Sequence, residues 1–132
     1  MKGFLQNIEE LTVNNSDFRR VLYTGKHSQL VLMSLKPGEE IGLEVHPEND
    51  QFFRFDSGQG RVIIDGVEHE VEDGFAVIVP AGAEHNVINS SPSEDLKLYT
   101  IYMPPHHKDG IVRATREEAV ANEEDFDGVT SE

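Results

Sequence analysis

Short apolar stretches, broken at regular intervals by turn-forming residues, set the pattern of this chain. Residues Gln29 to Leu35 (QLVLMSL), Arg61 to Ile64 (RVII), Phe75 to Val79 (FAVIV) and Leu96 to Met103 (LKLYTIYM) are rich in Val, Ile, Leu, Phe and Tyr over strand length. Gly25, Pro37-Gly38, Pro47, Gly58 to Gly60, Asp65-Gly66, Asp73-Gly74, Pro80 to Gly82, Asn89 to Pro92 and Pro104-Pro105 punctuate them. That rhythm predicts an all-β sandwich or barrel. Asp65-Gly66, set between two apolar runs, predicts a hairpin with a type I′ turn, in which both central residues adopt positive φ. Period two also assigns faces. Leu98, Thr100 and Tyr102 share one face, turned inward because Lys97 lies on the other; Phe53 and Phe55 share the face of Gln51, and Arg54 opposes them.

Only the ends read as helical. Thr115 with Glu118 three residues on is a capping box ahead of a short helix over Glu117 to Asn122, with a solvated tail beyond. Asn7 to Leu11 fits one turn of helix or an edge strand equally well.

The chain has 132 residues, enough for one domain, expected as a barrel over 1–113 and an acidic helix and tail over 114–132. It has no cysteine, which excludes disulfide frameworks, thiolate metal sites and thiol catalysis. The formal net charge is −14, with seven acids and one arginine in residues 114–132. Nucleic acid and anionic membranes are therefore not expected partners, since phosphates demand a basic patch. The N-terminus turns acidic by Glu9 without an apolar core of signal-peptide length, so a cytoplasmic location is expected.

Two segments carry chemistry. Residues 74–89 read GFAVIVPAGAEHNVIN: Gly, five residues, Pro, one residue, Gly, two residues, His, three residues, Asn. Upstream, residues 38–60 read GEEIGLEVHPENDQFFRFDSGQG. Together they resemble the two motifs of the cupin superfamily, and the resemblance implies a double-stranded β-helix (jelly-roll) barrel. The second motif is complete. In the first, the usual His-x-His pair becomes Glu44 and His46, and Gln51 takes the usual Glu position, anchored by the six residues between it and Gly58. The resemblance thus implies a metal held by Glu44, His46, Gln51 and His85. The departures move the carboxylate from one position to another and leave the ligand charge at −1. Glu44, His46 and His85 make a two-His-one-carboxylate set suited to a divalent transition metal: Mn, Fe, Zn or Ni. On the residues alone, Glu44 and His46 lie two apart on one strand face, and Pro47 to Asp50 reverses the chain so that Gln51 opens a strand beside theirs.

Of the other histidines, His27 is expected at the surface and His69 half-buried as a structural residue. His106 and His107 leave the last barrel strand in a Pro-rich loop, where histidines are usually solvated, although one of the two could reach a pocket mouth. Tyr102 and His106 are the candidate proton-transfer groups, because no Asp or Glu falls on the inward face of Leu96 to Met103. The resemblance implies an isomerase, lyase or cyclase acting on a small oxygenated metabolite by Lewis-acid chemistry. Its alternatives are a metal-dependent dioxygenase or a non-catalytic small-ligand or metal-binding protein. It further implies a homodimer, with Gln29 to Leu35 as the expected contact segment.

Overall fold

The computed structural model describes residues 1–132. Ten strands form two antiparallel sheets. The larger contains, in spatial order, β10 (Val112–Arg113), β1 (Arg19–Thr24), β2 (Gln29–Leu35), β9 (Leu96–Met103), β4 (Asp50–Ser57) and β7 (Ala76–Val79). The smaller contains β3 (Glu44–Val45), β8 (Glu84–Asn89), β5 (Gln59–Ile64) and β6 (Val67–Glu72). Their facing inner surfaces hold the core, including Val31, Met33, Leu35, Phe53, Phe55, Val62, Val87, Leu96 and Leu98. The all-β jelly-roll reading holds, with Gln29 to Leu35 and Leu96 to Met103 bounded as expected.

Alternation in β9 is complete: Leu96, Leu98, Thr100 and Tyr102 are buried, while Lys97, Tyr99, Ile101 and Met103 are partly exposed. β2 departs from it, for its outward Leu32 and Ser34 are buried too. The cover is α1 (Ile8–Asn14), which settles the open N-terminal choice as helix. Asn7 caps it, its side chain accepting from the Glu10 N–H at 3.1 Å, and Glu9 and Glu10 complement the dipole of the first turn. Beneath α1, Lys97 Nζ donates to the Asn15 carbonyl at 2.5 Å and to Ser34 Oγ at 3.0 Å.

The β5–β6 hairpin turns at Asp65 (φ 46°) and Gly66 (φ 80°), the expected type I′ signature. α2 (Arg116–Ala121) is capped by Thr115 Oγ1, which accepts from the Glu118 N–H, while the Glu118 carboxylate accepts from the Ala114 N–H. Beyond Asn122 the chain is exposed but not free, in contrast to the solvated tail expected. The Phe126 N–H donates to the His106 carbonyl, the Ser131 N–H donates to the Thr24 carbonyl, and the Tyr23 hydroxyl donates to Glu132.

Two further expectations are corrected. β2 is hydrogen-bonded on both sides, by β1 and β9, so it offers no free edge for a subunit contact. His69 is exposed, on β6, the outer strand of its sheet, where only Val71 is buried. No helix is long and apolar enough to cross a membrane.

Gly58 carries the tightest backbone constraint. Its φ is +94°, and a Cβ there would lie 2.4 Å from the Asp95 carbonyl oxygen. Gly74 has a similar φ of +90° but open space around it. Gly58→Ala should therefore lower unfolding free energy by about 3 kcal/mol or more, against about 1 kcal/mol for Gly74→Ala, in urea titrations at constant m. Equal losses would mean that only the backbone angle, and not the close approach, matters at Gly58.

Candidate metal centre

The site forms where the polar ends of the inner strand faces meet. β3 is short because Pro47 removes a donor one residue after His46. Its pairing with β8 sets Glu44 directly opposite His85. One ligand atom from each of Glu44, His46 and His85 lies within 4.8 Å of the others. Glu44 Oε2 and His46 Nε2 are 3.0 Å apart. His85 follows the Pro80 to Ala83 turn, closed by the Ala83 N–H donating to the Pro80 carbonyl at 3.1 Å. His85 Nδ1 is 3.2 Å from the Ala83 carbonyl, to which it must be the donor. That fixes the tautomer and leaves Nε2 as a bare acceptor, buried and without a partner.

Gln51 supplies a second orphan. Its Nε2 donates to Thr100 Oγ1 at 3.0 Å, and its Oε1 is buried with no donor to accept from. It does not stand on a strand beside β3, as the tight reversal suggested. The turn over Pro47 to Asn49 crosses between sheets, and β4 pairs with β9 and β7. Gln51 therefore faces the cluster from the opposite wall. Its neighbours place it there: Phe53, two residues along, has its ring 6.1 Å from His85, and Tyr102, its cross-strand partner, has its ring 5.7 Å from His46. Two unpaired buried acceptors, one carboxylate and a second imidazole are a donor set that fits a divalent transition metal.

Both loop histidines reach the site, where solvated positions were expected. Gln29, fully buried at the start of β2, accepts from the His106 N–H at 3.1 Å and the His107 N–H at 2.9 Å. It also donates to the His107 carbonyl at 2.7 Å. One inward glutamine thus pins the loop into the barrel mouth. His106 is half-buried, its ring 4.4 Å from that of His46. His107 is buried, its Nε2 3.2 Å from the Tyr102 hydroxyl.

Water exclusion sets the protonation states. Burial pushes the Tyr102 hydroxyl well above its ordinary range, and the Glu44 charge pushes the same way. Burial lowers His85 and His106, with the charge of His46 adding to it in each. His107 is lowered to about 2 by burial and then by the Arg19 charge. Burial alone would raise Glu44, but the hydrogen bond from His46, followed by the charges of His46 and Arg19, holds it below its ordinary value. The result is a carboxylate at Glu44, neutral rings at His85, His106 and His107, and a protonated phenol at Tyr102.

Beside the cluster lies a cavity of about 270 Å³, lined by Arg19, Glu44, His46, His106 and His107, with Glu123, Glu124 and Asp125 at its edge. Sequence reasoning missed Arg19, Gln29 and the burial of His107. The first two share inward parity with Val21 and with Val31, so a polar residue at an apolar strand position was the available signal.

A family model for the cupin domain matches residues 31–102. The uncharacterized protein YrkC of Bacillus subtilis is 47% identical over 129 residues, which span 93% of this chain and 69% of that protein. An uncharacterized protein of Acanthamoeba polyphaga mimivirus is 43% identical over 86% of this chain and 72% of its own length. The crystal structure of BH2720 from Bacillus halodurans superposes with a TM-score of 0.89 at 45% identity, covering 92% of this chain and 96% of that one.

His107 makes stability depend on pH with a definite sign. Its folded pKa lies below the unfolded value of about 6.5, so in acid the unfolded chain binds a proton that the folded chain refuses. Stability should be fully present above that value and decline, as pH falls below it, by about 1.4 kcal/mol per unit from this residue. The difference between wild type and His107→Gln in EDTA-treated urea titrations from pH 7 to 4.5 isolates the term. Parallel pH profiles for the two proteins would refute it.

Proposed function

Because the chain belongs to the cupin family, we propose that it is a divalent-metal cupin that moves protons on a small oxygenated metabolite, with isomerase, lyase or cyclase chemistry. The supporting observation is the convergence of Glu44, His46 and His85, with His85 Nε2 and Gln51 Oε1 left buried and unpaired beside them. Those four residues would hold the ion. When bound, a first-row divalent ion such as Mn, Fe, Zn or Ni supplies Lewis acidity towards a carbonyl or hydroxyl oxygen.

The chain's own groups do the rest. Tyr102, kept protonated by burial, presents a neutral hydroxyl oriented by His107. His107 stays neutral at physiological pH and serves as the partner that positions this phenol. His106 is the group suited to take a proton from substrate. It stands at the cavity, is kept neutral, and makes no side-chain hydrogen bond that would occupy its ring nitrogens.

Elemental analysis of protein purified without an affinity tag tests the reading. The expected result is close to one divalent transition metal per chain, reduced at least tenfold in Glu44→Ala and His46→Ala that retain wild-type far-UV circular dichroism. Wild-type protein free of metal after growth in metal-supplemented medium would sink it.

A further inference from the structure

Arg19 is a buried cation whose one recorded partner is the Phe18 ring, with Cζ 5.6 Å from the ring centroid. It lies on the inner face of β1, only 9% exposed, and its Nε has no acceptor. The other five arginines each meet an acid or a carbonyl, Arg54 through an ion pair alone. Arg20, Arg54, Arg61 and Arg113 pair with Asp17, Asp56, Glu68 and Glu124, and Arg116 reaches the Ile41 carbonyl. Arg19 forms no ion pair in a chain with 25 acidic residues. Its nearest acid in function is Glu44, whose carboxyl feels the Arg19 charge but is engaged by His46 at 3.0 Å. A desolvated guanidinium without a counter-charge opposes folding, so its presence asks for a ligand that supplies the charge.

Arg19 lines two cavities, one against α2 and one bordered by Glu44, His46, His106 and His107; the second adjoins the histidine cluster. A guanidinium presents a planar fork of donors matched to the two oxygens of a carboxylate. Phosphate shares that chemistry, but Glu123, Glu124 and Asp125 at the cavity edge repel a dianion more than a monoanion. The cavity, at about 270 Å³, suits a small molecule. We propose that Arg19 is the substrate-recognition residue of this site and that its ligand class is a small organic monocarboxylate. The carboxylate seats on Arg19, and a second oxygen of the acid faces Glu44, His46 and His85. The carboxylate part stands on Arg19 alone; the second contact rests on the metal-centre reading.

Isothermal titration with lactate, its uncharged isostere lactamide, and inorganic phosphate tests this. It is run on the protein as purified and after EDTA treatment, with metal content measured on every sample. The wild type should bind lactate at least tenfold more tightly than lactamide or phosphate. Arg19→Gln should lose at least tenfold in lactate affinity, keep its lactamide affinity and metal content, and show an unchanged or higher thermal midpoint because an unpaired buried charge is gone. Arg19→Lys, which keeps the charge without the fork, should fall between and decides the matter if Arg19→Gln unfolds. A smaller lactate loss, or no preference for lactate over lactamide, overturns the assignment, and tighter phosphate binding overturns its carboxylate class. Arg19-dependent lactate binding to protein that holds no metal would keep this inference and discard the metal centre. Retained metal with lactate binding indifferent to Arg19 would do the reverse.

Discussion

Strand register is the constraint on which the site depends. Across the larger sheet, Gln29 opposes Tyr102 and Tyr102 opposes Gln51, so three polar side chains form one transverse row on the inner face. In the smaller sheet Glu44 opposes His85. Two residues further along β2, β4 and β8, and four along β9, the inner face is Val31, Phe53, Val87 and Leu98. The barrel is therefore polar at one end and dry at the other, and the boundary is set by pairing rather than by any single contact. A slip of one residue in β9 would turn Tyr102 and Thr100 outward and bring Lys97 and Tyr99 into the core. The apolar end makes such slips expensive, and through it the hydrophobic effect fixes the positions of the polar groups.

The same closure that builds the core sets the chemistry of the polar row. Water is removed from Tyr102, His85, His106 and His107 together, and each responds by shedding charge. Formal charge remains on Glu44 and Arg19, which line the same cavity. Gln29 is the quiet member of this arrangement: it binds neither proton nor ion. Yet its four hydrogen bonds to Thr24 and the 106–107 backbone carry two imidazoles to the cavity. Glutamine suits that position because it both donates and accepts without needing a counter-charge.

The fold was legible because its signals are local. Alternation, Asp65-Gly66 and the Thr115 to Glu118 cap each act within a few residues, and each appears where expected. Glu44, His46 and His85, implied as a set by the resemblance to the cupin motifs, come together as expected. What escaped depends on contacts distant in sequence. Gln51 was identified, but its wall of the barrel was not, because a tight turn can join strands of one sheet or cross to the other. The fate of His107 is decided by Gln29, 78 residues away. The tail was read as solvated from composition, yet its backbone finds Thr24 and His106. Composition fixes how much apolar area a segment can bury, but not whether its backbone meets a partner.

The charge asymmetry along the chain gains a purpose in this geometry. The acidic tail is distant in sequence from β1, but Glu123 to Asp125 border the cavity that Arg19 lines from within. A guanidinium inside a negative rim forms a graded field: polyanions are repelled more strongly than monoanions before they reach the interior, and the proposed carboxylate meets its counter-charge only past the rim. Such an arrangement trades rate of approach for selectivity. It also explains why an overall charge of −14 does not conflict with recognition of an anion. Net charge governs the distant field, whereas the desolvated cation governs the last few ångströms, where the dielectric is low and the interaction strongest.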